Sequence, residues 1–241
     1  MARRPRRSQE ERSADTRARL RGATLETLLE LGYARTSTVE ICRRAGVSRG
    51  AMLHQYPTKT DLIIDTARHR FERARVEMEQ LALGFGRGEL TIDAFIAGMW
   101  EQVFPIQSVV LTLETLVAAR ADPELDRVIG GFLADMLQGY EAVATTAFAG
   151  TGFSVEQRHV LVLLTACAVR GLRYQQLMHS PPAVVDKVRQ ALKYSLEAVL
   201  NAGPEKLGKA MTVSRRANRQ RNSAIVARRA KPRVNRLGGR S

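Results

Sequence analysis

Residues 36–62 read TSTVEICRRAGVSRGAMLHQYPTKTDL, and this stretch decides the fold of the N-terminal part of the chain. Ser37 and Glu40 have the spacing of a capping box, in which a hydroxyl and a carboxylate three residues later begin a helix. Gly46 can adopt the positive φ of a tight turn, and Ser48 can cap the helix that follows. A proline then ends that second helix. The stretch therefore predicts two short helices joined by a turn.

Such a pair, at about residues 37–56, is a candidate helix-turn-helix. In DNA-binding versions the first helix crosses the phosphate backbone, and the second enters the major groove. The residues that would lock the two helices together are apolar: Ile41, Ala45, Val47 and Met52. The outward positions of the second helix offer hydrogen-bond donors: Arg49, His54, Gln55 and Tyr56. Arg49 has the chemistry to pair with guanine and Gln55 to pair with adenine. An ordinary helical hairpin is the alternative, which the proline and the basic flank disfavour.

This stretch, with the helix before it, resembles the DNA-binding segment of TetR-type transcriptional regulators over about residues 14–74. The resemblance implies a homodimer that binds a palindromic operator and usually represses until a small molecule releases it. It also implies which residues face DNA: Thr38, Ser48, Arg49, Gly50, Ala51, His54, Gln55, Tyr56 and Lys59. Leu53 and Gln55 stand where the family often has aromatic residues, so an operator sequence does not transfer.

The rest of the chain predicts helices, and we expect an all-α fold of about nine helices. A three-helix N-terminal domain would precede a helical domain for ligand binding and dimerisation. The expected divisions are a disordered basic arm at 1–13, the DNA-binding domain at 14–74, the helical domain at 75–203 and a disordered basic tail at 204–241. The helices predicted for the second domain are at about 91–103, 106–120, 124–148, 154–179 and 182–201.

Charge is unevenly distributed along the 241 residues, whose formal net charge is +14. Residues 1–70 carry a net charge of +7 and residues 201–241 a net charge of +11, whereas residues 71–200 carry −4. A polyanion would therefore meet the two ends of the chain. This pattern leaves open a second hypothesis, a basic architectural or RNA-binding protein with little sequence specificity.

The second domain offers a dimer interface and a ligand pocket as predictions. By the resemblance, the helices at 154–179 and 182–201 would pack against their symmetry mates, and the second of these has a long apolar stripe. We predict a pocket among the preceding helices, with apolar lining and two polar side chains: Trp100, Phe104, Phe132, Tyr140, Gln107 and Arg120. The scarcity of charge predicts a mostly apolar effector.

Other chemistry has little support in the sequence. Two cysteines cannot form a disulfide framework, which favours a reducing compartment, and the N-terminus has no apolar core of a secretory signal. Glu156 and His159 have helical metal-ligand spacing, but a dinuclear bundle site needs a second such pair. There is no nucleophile elbow or Gly-rich phosphate loop. We therefore predict a cytoplasmic protein with no catalytic residue, cofactor or metal site.

Overall fold

The computed structural model describes residues 8–212, and every regular element among them is a helix, in agreement with the all-α prediction. The elements are α1 (Gln9–Arg35), α2 (Thr38–Ala45), α3 (Arg49–Gln55), α4 (Lys59–Gly86), α5 (Ile92–Gly98), α6 (Ile106–Ala119), α7 (Pro123–Ala147), α8 (Val155–Leu177) and α9 (Pro182–Ala202). A π-helical turn (Met99–Val103) extends α5, and residues 204–212 are also helical. Among the described residues the number of helices is therefore close to the nine expected.

The start of α1 corrects the predicted basic arm. Residues 8–13 are not disordered, because α1 begins at Gln9. The Ser8 hydroxyl accepts a hydrogen bond from the Glu11 amide, and the Glu11 carboxylate accepts one from the Ser8 amide. This capping box is a local signal for the start of a helix, whereas the prediction of a disordered arm rests on the low apolar content of the segment. Residues 1–7 of the predicted arm lie outside the described residues.

The predicted basic tail also needs a correction at its beginning. Residues 204–212 form a helix rather than disordered chain. Leu207 packs against the large hydrophobic core, and the Gln157 side chain donates a hydrogen bond of 2.7 Å to the Pro204 carbonyl. One apolar anchor and this polar contact hold a segment that composition alone marked as unstructured. The remainder of that prediction, 213–241, lies outside the described residues.

Three hydrophobic clusters hold the helices together, and α4 contributes to each of them. Leu62 belongs to the cluster of α1–α4, Ala67 to a cluster shared with α6 and α7, and Met78 to the large cluster of the C-terminal helices. The predicted boundary between residues 74 and 75 therefore falls inside a continuous helix. A displacement of α4 would therefore change the packing of helices on both sides of that boundary.

Membrane-spanning potential is limited to one bent pair among the residues that the structure describes. No single helix there combines the length and hydropathy that a bilayer crossing requires. The pair Ile92–Val103 and Ile106–Ala119, bent by 56°, meets those requirements by length and composition only.

Candidate DNA-binding surface and effector cavity

The turn between α2 and α3 forms as the sequence predicts. Gly46 has φ 60° and ψ 38°, a left-handed conformation that favours glycine. The Ser48 hydroxyl caps α3 by accepting a hydrogen bond of 3.1 Å from the Ala51 amide. At the start of α2, the Ser37 hydroxyl accepts from the Glu40 amide, but the Glu40 carboxylate binds arginines instead of completing the capping box. The turn thereby fixes the orientation of α3 relative to α2.

The two faces of α3 differ sharply in burial. Met52 is only 1% exposed and packs in the cluster that α1–α4 share. The opposite face is exposed to solvent and contains most of the predicted DNA-contacting residues of this helix: Arg49, Gly50, Ala51 and His54, together with Leu53. A seven-residue helix with one buried side and one basic exposed side can enter a major groove without losing its packing.

Ion pairs attach α2 to its neighbours. The Glu40 carboxylate accepts hydrogen bonds from Arg43 and Arg44, and Arg44 also pairs with Glu30 of α1 at 2.7 Å. The hydrogen bonds from Arg43 and then Arg44 lower the pKa of Glu40 to about 2. Thr38, in the first turn of α2, is half-buried. The network sets the angle of α2 on α1 and so supports the position of α3.

Gln55 is engaged within the protein. Its side-chain oxygen accepts hydrogen bonds from the Ser13 hydroxyl at 2.9 Å and the Arg17 guanidinium at 3.1 Å. A bidentate contact to adenine needs both the oxygen and the nitrogen of the amide, so DNA reading by Gln55 would require these bonds to open. Local sequence does not indicate this contact, because Ser13 and Gln55 are 42 residues apart in the chain.

Tyr56 lies in the interior, unlike the other predicted DNA-contacting residues of this segment. Its side chain is 5% exposed, and its hydroxyl donates a hydrogen bond of 2.6 Å to the Asp65 carboxylate, which also binds Arg21 at 3.1 Å. Burial, followed by the bond to Asp65, raises the pKa of Tyr56. Burial alone would raise the pKa of Asp65, but the bonds from Tyr56 and Arg21 outweigh it and lower that pKa. In this arrangement the Tyr56 hydroxyl joins α3 to α4 rather than facing DNA.

Lys59 also has partners inside the protein. Its ammonium group donates hydrogen bonds of 3.0 Å to the Tyr33 and Thr36 carbonyls and lies 4.2 Å from the centre of the Tyr33 ring. Burial lowers the pKa of Lys59. At the same helix start, Thr58 and Asp61 form a capping box, in which the Asp61 carboxylate accepts a hydrogen bond from the Thr58 amide. Contact of Lys59 with DNA stays a prediction.

A cavity of about 280 Å³ lies between α4, the π-helical turn and α7. Of the six predicted pocket residues, three line it: Phe104, Phe132 and Tyr140. The other three do not line it: Trp100, Gln107 and Arg120. Trp100 is instead buried beneath Arg173, whose guanidinium carbon is 3.8 Å from the ring centre, and Gln107 and Arg120 are exposed.

The residues that the pocket prediction missed come mainly from α4 and α7: Arg68, Phe71, Arg75, Met78, Met136 and Val143. The prediction took its candidates from residues 100–140 and therefore omitted α4. Metal ligation has no candidate in residues 8–212, where no three His, Cys, Asp or Glu side chains are grouped to hold an ion.

The capped turn, the short exposed helix and the helical body define the class of helix-turn-helix DNA-binding proteins. Residues 20–66 match the family model described as bacterial regulatory proteins, tetR family. The HTH-type transcriptional regulator CymR of Pseudomonas putida is 27% identical over 77% of this chain and 91% of its own. An uncharacterized HTH-type transcriptional regulator of Mycobacterium tuberculosis is 28% identical over 69% of this chain and 88% of its own.

Solved structures share the fold. A putative TetR-family transcriptional regulator from Mesorhizobium loti aligns with a TM-score of 0.64 at 15% identity, covering 79% of this chain and 98% of that one. A transcriptional regulator from Rhodococcus aligns with a TM-score of 0.58 at 21% identity, over 78% and 97% of the two chains. The chain is a DNA-binding transcriptional regulator, and its helix-turn-helix segment and fold are similar to those of TetR-family proteins.

Proposed function

We propose that the protein acts as a dimer on a two-fold symmetric operator and represses transcription until a small, mostly apolar molecule enters the cavity. The observation that carries this proposal is the two-sided α3, with Met52 buried and Arg49 and His54 exposed. Two copies of α3 would read half-sites about one helical turn apart, roughly 34–36 Å, or a multiple of it. Such a regulator would work in the cytoplasm, where it meets the operator.

We assign recognition of the half-site mainly to the side chains on the exposed face of α3. Arg49 is the candidate for a bidentate contact to guanine, and His54 offers a ring nitrogen to a base edge or phosphate. Gly50 and Ala51 would let the helix backbone approach the groove closely, and Ser48 and Thr38 would contact phosphates. Gln55, Tyr56 and Lys59 are secondary candidates, since each already has partners within the protein.

Dimerisation is assigned to α8 and α9, as the resemblance implies for 154–179 and 182–201. Large apolar side chains are exposed on and beside both helices: Val160 and Leu164 on α8, Met178 directly after its end, and Val184, Val188 and Tyr194 on α9. Association would remove them from water. Leu164→Glu should give monomers in sedimentation velocity, whereas Leu137→Glu, on α7 and similarly exposed, should not. Monomers from both variants, or from neither, would contradict this interface.

Release from the operator would pass through α4, which lines the cavity, packs against α1 and is joined to the end of α3 by the hydrogen bond between Tyr56 and Asp65. Arg70 of α4 donates hydrogen bonds to the carbonyls of Gln102 and Val103 and to the Ser108 hydroxyl. These bonds connect α4 to the segment 102–108, which contributes two residues to the cavity lining. A ligand can shift the spacing of the two α3 helices only if it binds one arrangement more tightly than the other.

Operator selection tests this proposal. Full-length protein would be used to select genomic DNA fragments, and affinity for the selected sequence and for random duplex would be measured by fluorescence anisotropy. We expect Arg49→Ala to cost about 1–3 kcal/mol on the selected site and to relax specificity at one base pair. Arg127→Ala, on the exposed surface of α7, removes the same charge elsewhere and should change little. If the wild-type protein binds the selected sequence and random duplex with nearly equal affinity, the basic architectural or RNA-binding alternative would be favoured instead.

A further inference from the structure

The cavity contains a hydroxyl group without a partner. Tyr140 of α7 is 3% exposed and lines the cavity, and its hydroxyl has no hydrogen-bond partner among the described residues. Buried polar groups in folded proteins nearly always have a partner, because an unpaired one loses its bonds to water without replacement. A ligand that reaches this hydroxyl would supply the hydrogen-bond partner that it lacks.

A guanidinium group lies close to one wall of the cavity. The Arg170 guanidinium carbon is 5.7 Å from the centre of the Phe104 ring, which lines the cavity. Arg170 also lines a smaller cavity of about 30 Å³, whose walls share Phe71, Ala74, Val103, Phe104 and Met136 with the large one. Its only side-chain hydrogen bond in the described part of the chain is a weak one of 3.8 Å to the Cys167 sulfur. Burial raises the pKa of Tyr140, and the positive charge of Arg170 partly opposes this rise.

The other charges around the cavity are either paired or at its exposed edge. Arg75 binds the carboxylates of Glu72 and Glu79, so the charge of Glu72 is already compensated. Asp135 and Arg68 carry opposite charges and are both exposed. Beside the buried hydroxyl, the uncompensated charge is therefore positive, and the remaining lining is mostly apolar.

We propose that the effector of this cavity is an apolar anion whose acidic group accepts a hydrogen bond from the Tyr140 hydroxyl and lies beside Arg170. The inference rests on the proposed effector role of the cavity and adds the chemical class of the ligand. Carboxylates and sulfonates both satisfy this chemistry, because each presents anionic oxygen acceptors. An apolar amine or a neutral hydrocarbon would leave the hydroxyl or the guanidinium without a partner.

Two fluorescent probes test the proposal with full-length protein. 1-Anilinonaphthalene-8-sulfonate and N-phenyl-1-naphthylamine share one aromatic skeleton, and only the first carries a sulfonate. We expect Tyr140→Phe to weaken binding of the sulfonate probe about tenfold and to leave the neutral probe unchanged, since a hydrogen bond to a charged group is lost. Arg170→Gln should act in the same direction. Arg127→Gln, which removes a charged group from an exposed position of α7, should alter the binding of neither probe.

Two further measurements make the result decisive. Ala74 lines both cavities, so Ala74→Phe should fill part of this space and weaken the binding of both probes. That result would place both probes in the cavity. The free Tyr140→Phe protein should melt no lower than wild type, because the lost hydroxyl had no partner. If Ala74→Phe weakens both probes but Tyr140→Phe and Arg170→Gln leave the sulfonate probe unaffected, the ligand class is wrong and the effector cavity stands. If Ala74→Phe affects neither probe, both the ligand class and the effector cavity are contradicted.

Discussion

Replacing Tyr56 by phenylalanine removes one hydroxyl from the DNA-binding domain and keeps the aromatic ring. The ring is 5% exposed in either case, so the burial of apolar surface is unchanged. What is lost is the 2.6 Å hydrogen bond to the Asp65 carboxylate, and hydrogen bonds to charged groups contribute about 1.5–3 kcal/mol. Asp65 keeps Arg21 at 3.1 Å, so the carboxylate is not left unpaired. We therefore expect a loss in unfolding free energy near the lower end, about 2 kcal/mol.

Urea denaturation followed by circular dichroism measures this loss, with Arg127→Gln, at an exposed position of α7, as the surface control. Operator affinity would be measured where both proteins are folded, and Tyr56→Phe should stay within about twofold of wild type, well under the effect of one lost hydrogen bond. Unchanged stability combined with a large loss of affinity would refute the reasoning. That outcome would mean that the hydroxyl faces DNA, as the sequence pattern predicts, and not Asp65.

Three further changes follow from the same domain. Met52→Ala should cost about 2–5 kcal/mol of unfolding free energy in urea denaturation, because a 1% exposed side chain leaves a cavity. Gly46→Ala should cost about 1–2 kcal/mol at φ 60°, whereas Gly50→Ala, in a helix with open space around it, should not destabilise the free protein. The pKa of Asp65 is lower in the folded protein, so its stabilisation is complete above its ordinary pKa of 3.8 and is lost as pH falls through the folded value. The difference in stability between wild type and Tyr56→Phe should accordingly shrink in acid, and a difference that grows would contradict it.

Local signals made the helix-turn-helix predictable. Capping by Ser48 and the left-handed turn at Gly46 depend only on neighbouring residues, so both features can be predicted from the local sequence. The burial of Tyr56 could also be predicted from the sequence, because it directly follows α3, four residues after the buried Met52, and its amide donates a hydrogen bond to the Met52 carbonyl. The prediction gave more weight to its chemistry than to its position.

Contacts between distant parts of the chain explain what was missed. Lys59 reaches the carbonyls that end α1, and Gln55 reaches side chains near its start, contacts that span 23–42 residues of sequence. The cavity could be predicted only in part for the same reason. Phe104 and Trp100 are both buried aromatic residues, but Arg173 covers Trp100, and no periodicity in the sequence indicates that pairing.

DNA cleavage from a probe on α3 tests the central claim most directly. An iron chelate would be attached to Ala51→Cys in a Cys167→Ser background, since Cys42 is buried and Cys167 is exposed. On a selected operator, bound protein should cut the DNA in two symmetric clusters about one helical turn or a multiple of it apart. The same chelate on Arg127→Cys should leave the operator intact. Cleavage from the Arg127 position, with none from the Ala51 position, would contradict the claim that the exposed face of α3 reads the operator.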